Sequence, residues 1–240
     1  MRSLTVISAL LVTLHAQPTS EEPHDLVLSG GRVMDPASGL DAPRHVGISG
    51  GRIAAVSTQP LAGRLVVDVS GLVVAPGFID LHAHGQTPEN LAIQSRDGVT
   101  TALEMEMGVF PVAAWYEKWS GRMPINFGAS VGHLTVRFLA FHPGLEIGHW
   151  AVNPGAIAAL GAMPAGANRA AGPAEIRAME ASLNHGLDEG ALGVGFGVNY
   201  TPAATRDELE AMFRVAAARR VPAFIHVRAS GYPHVKDAID

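Results

Sequence analysis

One short stretch limits what this chain can become more than any other. Val73-Val74-Ala75-Pro76-Gly77-Phe78-Ile79-Asp80-Leu81-His82-Ala83-His84-Gly85 begins as an apolar run rich in β-branched residues and ends in two histidines one residue apart. Side chains at i and i+2 of a β-strand share a face. A strand that ends here therefore sets His82 and His84 side by side at its C-terminal tip. Neutral imidazole is the commonest side-chain ligand for zinc and similar divalent ions. Two imidazoles do not complete a coordination shell, so the chain must supply further ligands elsewhere.

Composition narrows what those ligands are. The 240 residues contain no cysteine, which excludes a disulfide scaffold, a Cys-rich zinc module and a thiol nucleophile together. A metal here is held by His, Asp or Glu. Hydrophobic residues make up 48% and charged residues 16%, enough for a large buried core. A formal charge of −5 argues against a nucleic-acid binder, which would show a basic face.

The N-terminus reads differently from the rest. Arg2 precedes the apolar run Leu4 to Leu14, and Ala16 follows. This is the pattern of a cleavable signal peptide over residues 1–16, with a polar linker over 17–24. A secreted or periplasmic location is expected. The run is too short for a membrane anchor, which needs roughly 20 apolar residues.

From Asp25 to Ala75 short apolar runs alternate with turns, including Gly30-Gly31 and Gly50-Gly51. Gly-Gly between two such runs signals a hairpin, so residues 25–75 read as a small antiparallel β-module. After Pro76 the rhythm becomes strand, helix, strand. Helices are expected over Pro88 to Asp97, Pro173 to Glu189 and Thr205 to Arg220. The second has Ile176, Met179, Leu183 and Leu187 at spacings of three and four. The third opens on Thr205 with Glu208 three residues on, a capping box. Strands are expected over Gly98 to Leu103, Ile125 to Val131, Ala191 to Gly195 and Val221 to Val227. Alternation of this kind gives a parallel sheet with helices outside. Leu145 to Gly172, rich in Gly, Ala and Pro, is the longest irregular stretch and reads as a loop over a site.

Three strand ends carry residues that a buried strand should lack. His82 and His84 close the first. Glu104 and Glu106 close Leu103-Glu104-Met105-Glu106-Met107, and His226 closes Ala223-Phe224-Ile225-His226. A carboxylate inside an apolar barrel costs several kcal/mol unless it is paired or binds metal. Parallel αβ barrels carry their catalytic groups at these strand ends. A lone histidine at a strand end is more often structural. Ligand-type residues at equivalent places in successive βα units point to a metal site.

These residues carry a family resemblance. Gly77-Phe78-Ile79-Asp80-Leu81-His82-Ala83-His84, preceded by a small β-module, resembles the opening of the amidohydrolase superfamily. Gly98-Val99-Thr100-Thr101, Gly132-His133-Leu134-Thr135-Val136-Arg137, Gly190 to Pro202 and Ile225-His226-Val227-Arg228 are similar to segments of its N-acyl-D-amino-acid deacylase branch. The resemblance implies an α/β fold: a (β/α)8 TIM-type barrel, here incomplete with about five strands over residues 76–240, beside half of a β-sandwich over 25–75. It implies one or two zinc ions, with His82 and His84 as the first-strand pair and His226 as a further ligand. It places Tyr200 beside substrate, and Arg228 against substrate or a structural acid.

Two departures stand out. The branch places a cysteine ligand where this chain has Met107, and a thioether is a poor zinc ligand. Glu106, nearer the strand tip, is expected to replace it, with Glu104 as the alternative. The family's general-base aspartate falls beyond the position equivalent to Asp240, so the chain reads as an N-terminal fragment.

The expected activity is metal-dependent hydrolysis of a linear amide in N-acyl-D-amino acids or related acylamino acids and dipeptides. The expected partner is this small-molecule substrate, with no nucleic acid and no membrane anchor. A cyclic amidase of the dihydroorotase or hydantoinase type shares the histidine pair. It usually needs a carboxylated lysine on the fourth strand, and no lysine lies between Lys118 and Lys236. A non-catalytic, truncated metal-binding remnant is the alternative from another class. His133, His142 and His149 are left over, with His133 read as structural.

Overall fold

The computed structural model describes residues 22–144, 150–151 and 164–228. The leader expected over 1–16, most of the linker, His149, most of the loop expected between Leu145 and Gly172, and Asp240 lie outside the described residues. The chain divides between Pro76 and Gly77 into two compact units.

The first unit is a five-stranded sheet of β1 (His24–Asp35), β2 (Leu40–Ser49), β3 (Arg52–Ser57), β4 (Gly63–Asp68) and β5 (Val73–Val74), in the order β3-β2-β1-β4 with β5 also on β1. The two Gly-Gly pairs behave differently. Gly50 and Gly51 both take positive φ, 57° and 72°, as a two-residue hairpin turn of the primed type requires. At Gly30-Gly31 only Gly30 does, at 77°. There β1 gains one residue on β2, pairing Leu28 with Val46 but Gly31 with Arg44. That is a β-bulge in one long strand, which corrects the expected hairpin. The module is also not wholly antiparallel. After β3 the chain passes through Pro60 to the far side of β1, and β4 and β5 pair there in parallel.

The second unit runs β6 (Phe78–Asp80), α1 (Pro88–Arg96), β7 (Val99–Phe110), α2 (Val112–Trp119), β8 (Asn126–Gly132), α3 (His133–Phe141), β9 (Trp150–Ala151), α4 (Pro164–Asn168), α5 (Pro173–Asp188), β10 (Val194–Gly197), a 3-10 turn (Val198–Tyr200), α6 (Arg206–Arg219) and β11 (Ala223–His226). Apart from the short β9, which lies antiparallel on β7, every pairing is parallel, and the strands lie in the order β11-β10-β8-β7-β6. The order follows the sequence without reversal. That is the winding of a (β/α)8 barrel, of which the described residues hold five strands, and not of a doubly wound sheet with its switch point.

Local chemistry explains the boundaries. Thr87 caps α1 by accepting from the Asn90 amide at 3.2 Å, with Pro88 in the first turn. Thr205 caps α6 through the Glu208 amide at 3.2 Å. Met179 and Leu183 of α5 are fully buried against Val131 and Val194 of the sheet and Met212 of α6. β10 starts at Val194, later than the expected Ala191. The preceding residues instead finish the turn after α5, where the Ala191 amide donates to Gly186 and Gly190 takes φ 100°. β7 runs on to Phe110, well past the expected Leu103.

Candidate metal centre

β7 owes its extra length to a wide bulge that shapes the site. Its ladder with β8 pairs Glu104 with Ala129 and resumes only at Val109 with Val131. Five steps of β7 thus face two of β8. Gly108, at φ 67°, allows the turn, and the Ser130 hydroxyl donates to the Met105 carbonyl at 2.6 Å. A Cβ on Gly195 of β10 would stand 2.6 Å from that same carbonyl. The bulge therefore needs glycine in the neighbouring strand. Inside it, Met107 packs with Leu134 and Phe138. The thioether faces core while the glutamates before it face the strand tips.

β6 ends at Asp80, whose carboxylate accepts the His82 amide at 2.9 Å. His82 then bridges to Glu104, and the Ala83 amide donates to the Leu103 carbonyl at 3.0 Å. Two amides hold the next turn. Gln86, nearly fully buried, donates to the carbonyls of Ala83 and Ala102, and Asn90 donates to those of His84 and Gly85. Neither amide was singled out in the sequence. The available signal was a Gln two residues after His84 and an Asn in the first turn of the following helix.

The histidine rings meet edge to face with centroids 4.7 Å apart. Both turn Nε2 to one carboxylate, that of Glu106. His82 Nε2 contacts Glu106 Oε2, and His84 Nε2 lies 3.3 Å from the same oxygen. From the far edge of the sheet, His226 places Nδ1 2.5 Å from Glu106 Oε1. Among the described residues, His82, His84 and Glu106 form a group whose ligand atoms lie within 4.8 Å of one another. Three imidazoles around one carboxylate are the hard-and-borderline donor set that suits zinc and related divalent ions.

Glu104 stands apart. Its two oxygens each lie 2.9 Å from His84 Nδ1, and it is 1% exposed. Burial pushes its carboxyl up, against the pull of His84; the hydrogen bond to Glu104 raises the His84 pKa, against its own partial burial. A cavity of about 380 Å³ opens beside His82, Glu106 and His226, with an apolar wall of Leu81, Phe224 and Val227. That is room for a small ligand.

Tyr200 sits on the 3-10 turn after β10, its ring centroid 5.3 Å from that of His226. Arg228 donates to the Ala204 carbonyl at 2.9 Å, which ties the end of β11 to the loop before α6. His133 lies elsewhere, sealed between α3 and α6. Its Nε2 is 2.8 Å from Glu208 Oε1, and Arg137 pairs with the other oxygen. Phe196 is core, stacked on Phe213 at 4.5 Å.

Residues 73–240 match the Amidohydrolase family. The chain belongs to the amidohydrolase family. It is 34% identical to the N-acyl-D-glutamate deacylase of Alcaligenes xylosoxydans xylosoxydans, over 92% of this chain and 47% of that protein. With the D-aminoacylase of the same organism it shares 30% identity over 92% of this chain and 48% of the other. Among solved structures it superposes on the Bordetella bronchiseptica N-acyl-D-glutamate deacylase, which is complexed with zinc and a phosphonate mimic of the tetrahedral intermediate. The TM-score there is 0.72 at 27% identity, covering 91% of this chain and 48% of that one. This amidohydrolase chain spans about half the length of the relatives it matches.

Proposed function

We propose that the protein hydrolyses the linear amide of N-acyl-D-amino acids, or of closely related acylamino acids and dipeptides, with zinc held by His82, His84, Glu106 and His226. One observation carries this reading: imidazoles from two strands at opposite edges of the sheet converge on a single buried carboxylate. Three imidazole nitrogens and a carboxylate that meet at one point form a ligand set that a divalent ion would bring together. A zinc ion held there would polarise the amide carbonyl and lower the pKa of an attacking water towards neutrality.

The chain's own residues do the positioning. Asp80, Gln86 and Asn90 fix the backbone that carries the two histidines. Tyr200 borders His226 where a bound acyl group would lie, and Arg228 holds the loop behind it. The apolar wall of the cavity receives the acyl chain or side chain and keeps bulk water from the reacting carbonyl. Residues 1–16 act as a cleavable signal peptide that sends the protein to a secreted or periplasmic location.

The test is a stereochemical assay on the zinc-loaded protein, offering N-acetyl-D- and N-acetyl-L-amino acids beside dihydroorotate and hydantoins. Hydrolysis of the D-series that stops with a chelator supports the reading. Ring opening without linear amide hydrolysis would replace it by a cyclic amidase, and zinc binding without any turnover by a metal-binding remnant.

A further inference from the structure

We propose that Glu104 is a positioning carboxylate that fixes the tautomer and ring direction of His84, and is not itself a metal ligand. The inference rests on the metal site proposed above and adds an outer partner to it.

Glu104 is the last residue of the regular β7–β8 ladder before the bulge, opposite Ala129 and bridged to His82. Its place is therefore set by backbone pairing on both sides, whereas Glu106 lies within the bulge. Both of its oxygens lie at 2.9 Å from one nitrogen, His84 Nδ1. Two acceptors equidistant from one ring nitrogen are the pattern of a shared N–H, so the proton of neutral His84 sits on Nδ1. The lone pair is then on Nε2, and Nε2 is the atom that faces Glu106. The imidazole thus stands between two carboxylates with different tasks. One sits behind the ring and accepts its N–H; the other faces the lone pair that a metal ion would take.

A buried carboxylate with no task is expensive, and leucine or valine would fill this strand position at no such cost. A carboxylate that accepts the second N–H of a metal-bound histidine orients the ring and raises its basicity, and losing such a partner typically costs 10–100-fold in metal affinity. Tip residue and partner come from adjacent strands, β6 and β7, joined by the Ala83–Leu103 hydrogen bond. The sheet itself keeps the pair in register.

The experiment joins two readouts on the whole chain: zinc affinity by competition with a chromophoric chelator, and the His84 tautomer from long-range ¹H–¹⁵N spectra of metal-free, ¹⁵N-histidine-labelled protein. We expect wild-type His84 as the Nδ1–H tautomer. Glu104→Gln should keep the wild-type zinc stoichiometry while its affinity falls about 10–100-fold and His84 becomes a mixture of tautomers. Glu106→Gln is the contrast, losing bound zinc without changing the His84 tautomer. Zinc affinity of Glu104→Gln within threefold of wild type overturns the proposal. So does loss of zinc stoichiometry equal to that of Glu106→Gln, which would make Glu104 a ligand. An Nε2–H tautomer in the wild type overturns it with no variant needed. A wild type that binds no zinc defeats the metal reading itself, and is seen before any variant is compared.

Discussion

Among the described residues of the second unit, two clusters that combine histidine with glutamate are built in opposite ways. At the strand tips, His82, His84 and His226 surround Glu106 beside an open cavity; the His82 side chain is 65% exposed. Between α3 and α6, His133, Arg137 and Glu208 are all 0% exposed. In the sealed group both Glu208 oxygens are paired, while His133 Nδ1 is buried without a partner among the described residues. Each Glu208 oxygen has one partner, and Arg137 also donates to the carbonyls of Gly166 and Arg169. At the tips the nitrogens outnumber the oxygens they face. A group sealed from solvent has no room for a ligand, whereas convergent side chains beside an open cavity have it. The same residue types thus join two helices in one place and line an open cavity with metal-ligand chemistry in the other.

The sharpest way to break this contrast is Glu208→Ala, which strands the buried Arg137 charge. Unfolding free energy should fall by about 3–5 kcal/mol in urea titrations, while zinc bound per folded chain stays at the wild-type level. If zinc falls in step, the two constellations are coupled and the distinction fails. Glu106→Ala is the mirror experiment. Zinc affinity should drop by at least about 100-fold, the upper end for loss of an outer partner, and the metal-free protein should lose little stability. Next comes Gly195→Ala, whose methyl would meet the Met105 carbonyl at 2.6 Å. Overpacking of this kind costs about 1–3 kcal/mol. Because it pushes on the bulge that carries Glu106, zinc affinity should weaken too. Thr205→Ala removes the cap of α6 and should cost about 1 kcal/mol, without any effect on zinc.

Acid titration sharpens the comparison further. Burial raises the Glu208 carboxyl, but its hydrogen bonds and charge pairing with His133 and Arg137 outweigh this, leaving it below its ordinary value of about 4.5. A carboxyl depressed on folding contributes stability that is present above its unfolded pKa and is lost as pH falls through its folded one. Stability should therefore decline below about pH 4.5, with a shallower slope in Glu208→Gln. His84 has the opposite sign. Its pKa is raised, so its contribution to the metal-free protein is present in acid and lost as pH rises.

The sequence pattern carried the barrel-type alternation and the strand tips, because periodicity and capping are local. Met179 and Leu183 lie where a 3.6-residue period puts them, and Thr205 caps its helix through the Glu208 amide, but the Glu208 side chain turns to His133 and Arg137 instead of closing the expected capping box. What was not legible depended on partners distant in the chain. The bulge in β7 is set by Gly108, Gly132 and Gly195, which come from three strands, and no local pattern separates a bulged strand from one that has ended. Gly30-Gly31 looked like Gly50-Gly51, yet only backbone pairing made one a bulge and the other a turn. Nearness to the strand tip favours Glu106 over Glu104 but says nothing of what Glu104 does. Only the position of His84, twenty residues earlier, separates the carboxylate behind the ring from the one in front. His133 and Arg137 gave no hint of Glu208, which lies across two helices and two strands.

The most direct test of the central claim is zinc content after equilibrium dialysis, for the wild type and for the His82→Ala/His84→Ala double variant. The account predicts at least one zinc per wild-type chain and none above background in the double variant, with both proteins equally folded by circular dichroism. Equal zinc in the two, or none in the wild type, would contradict it.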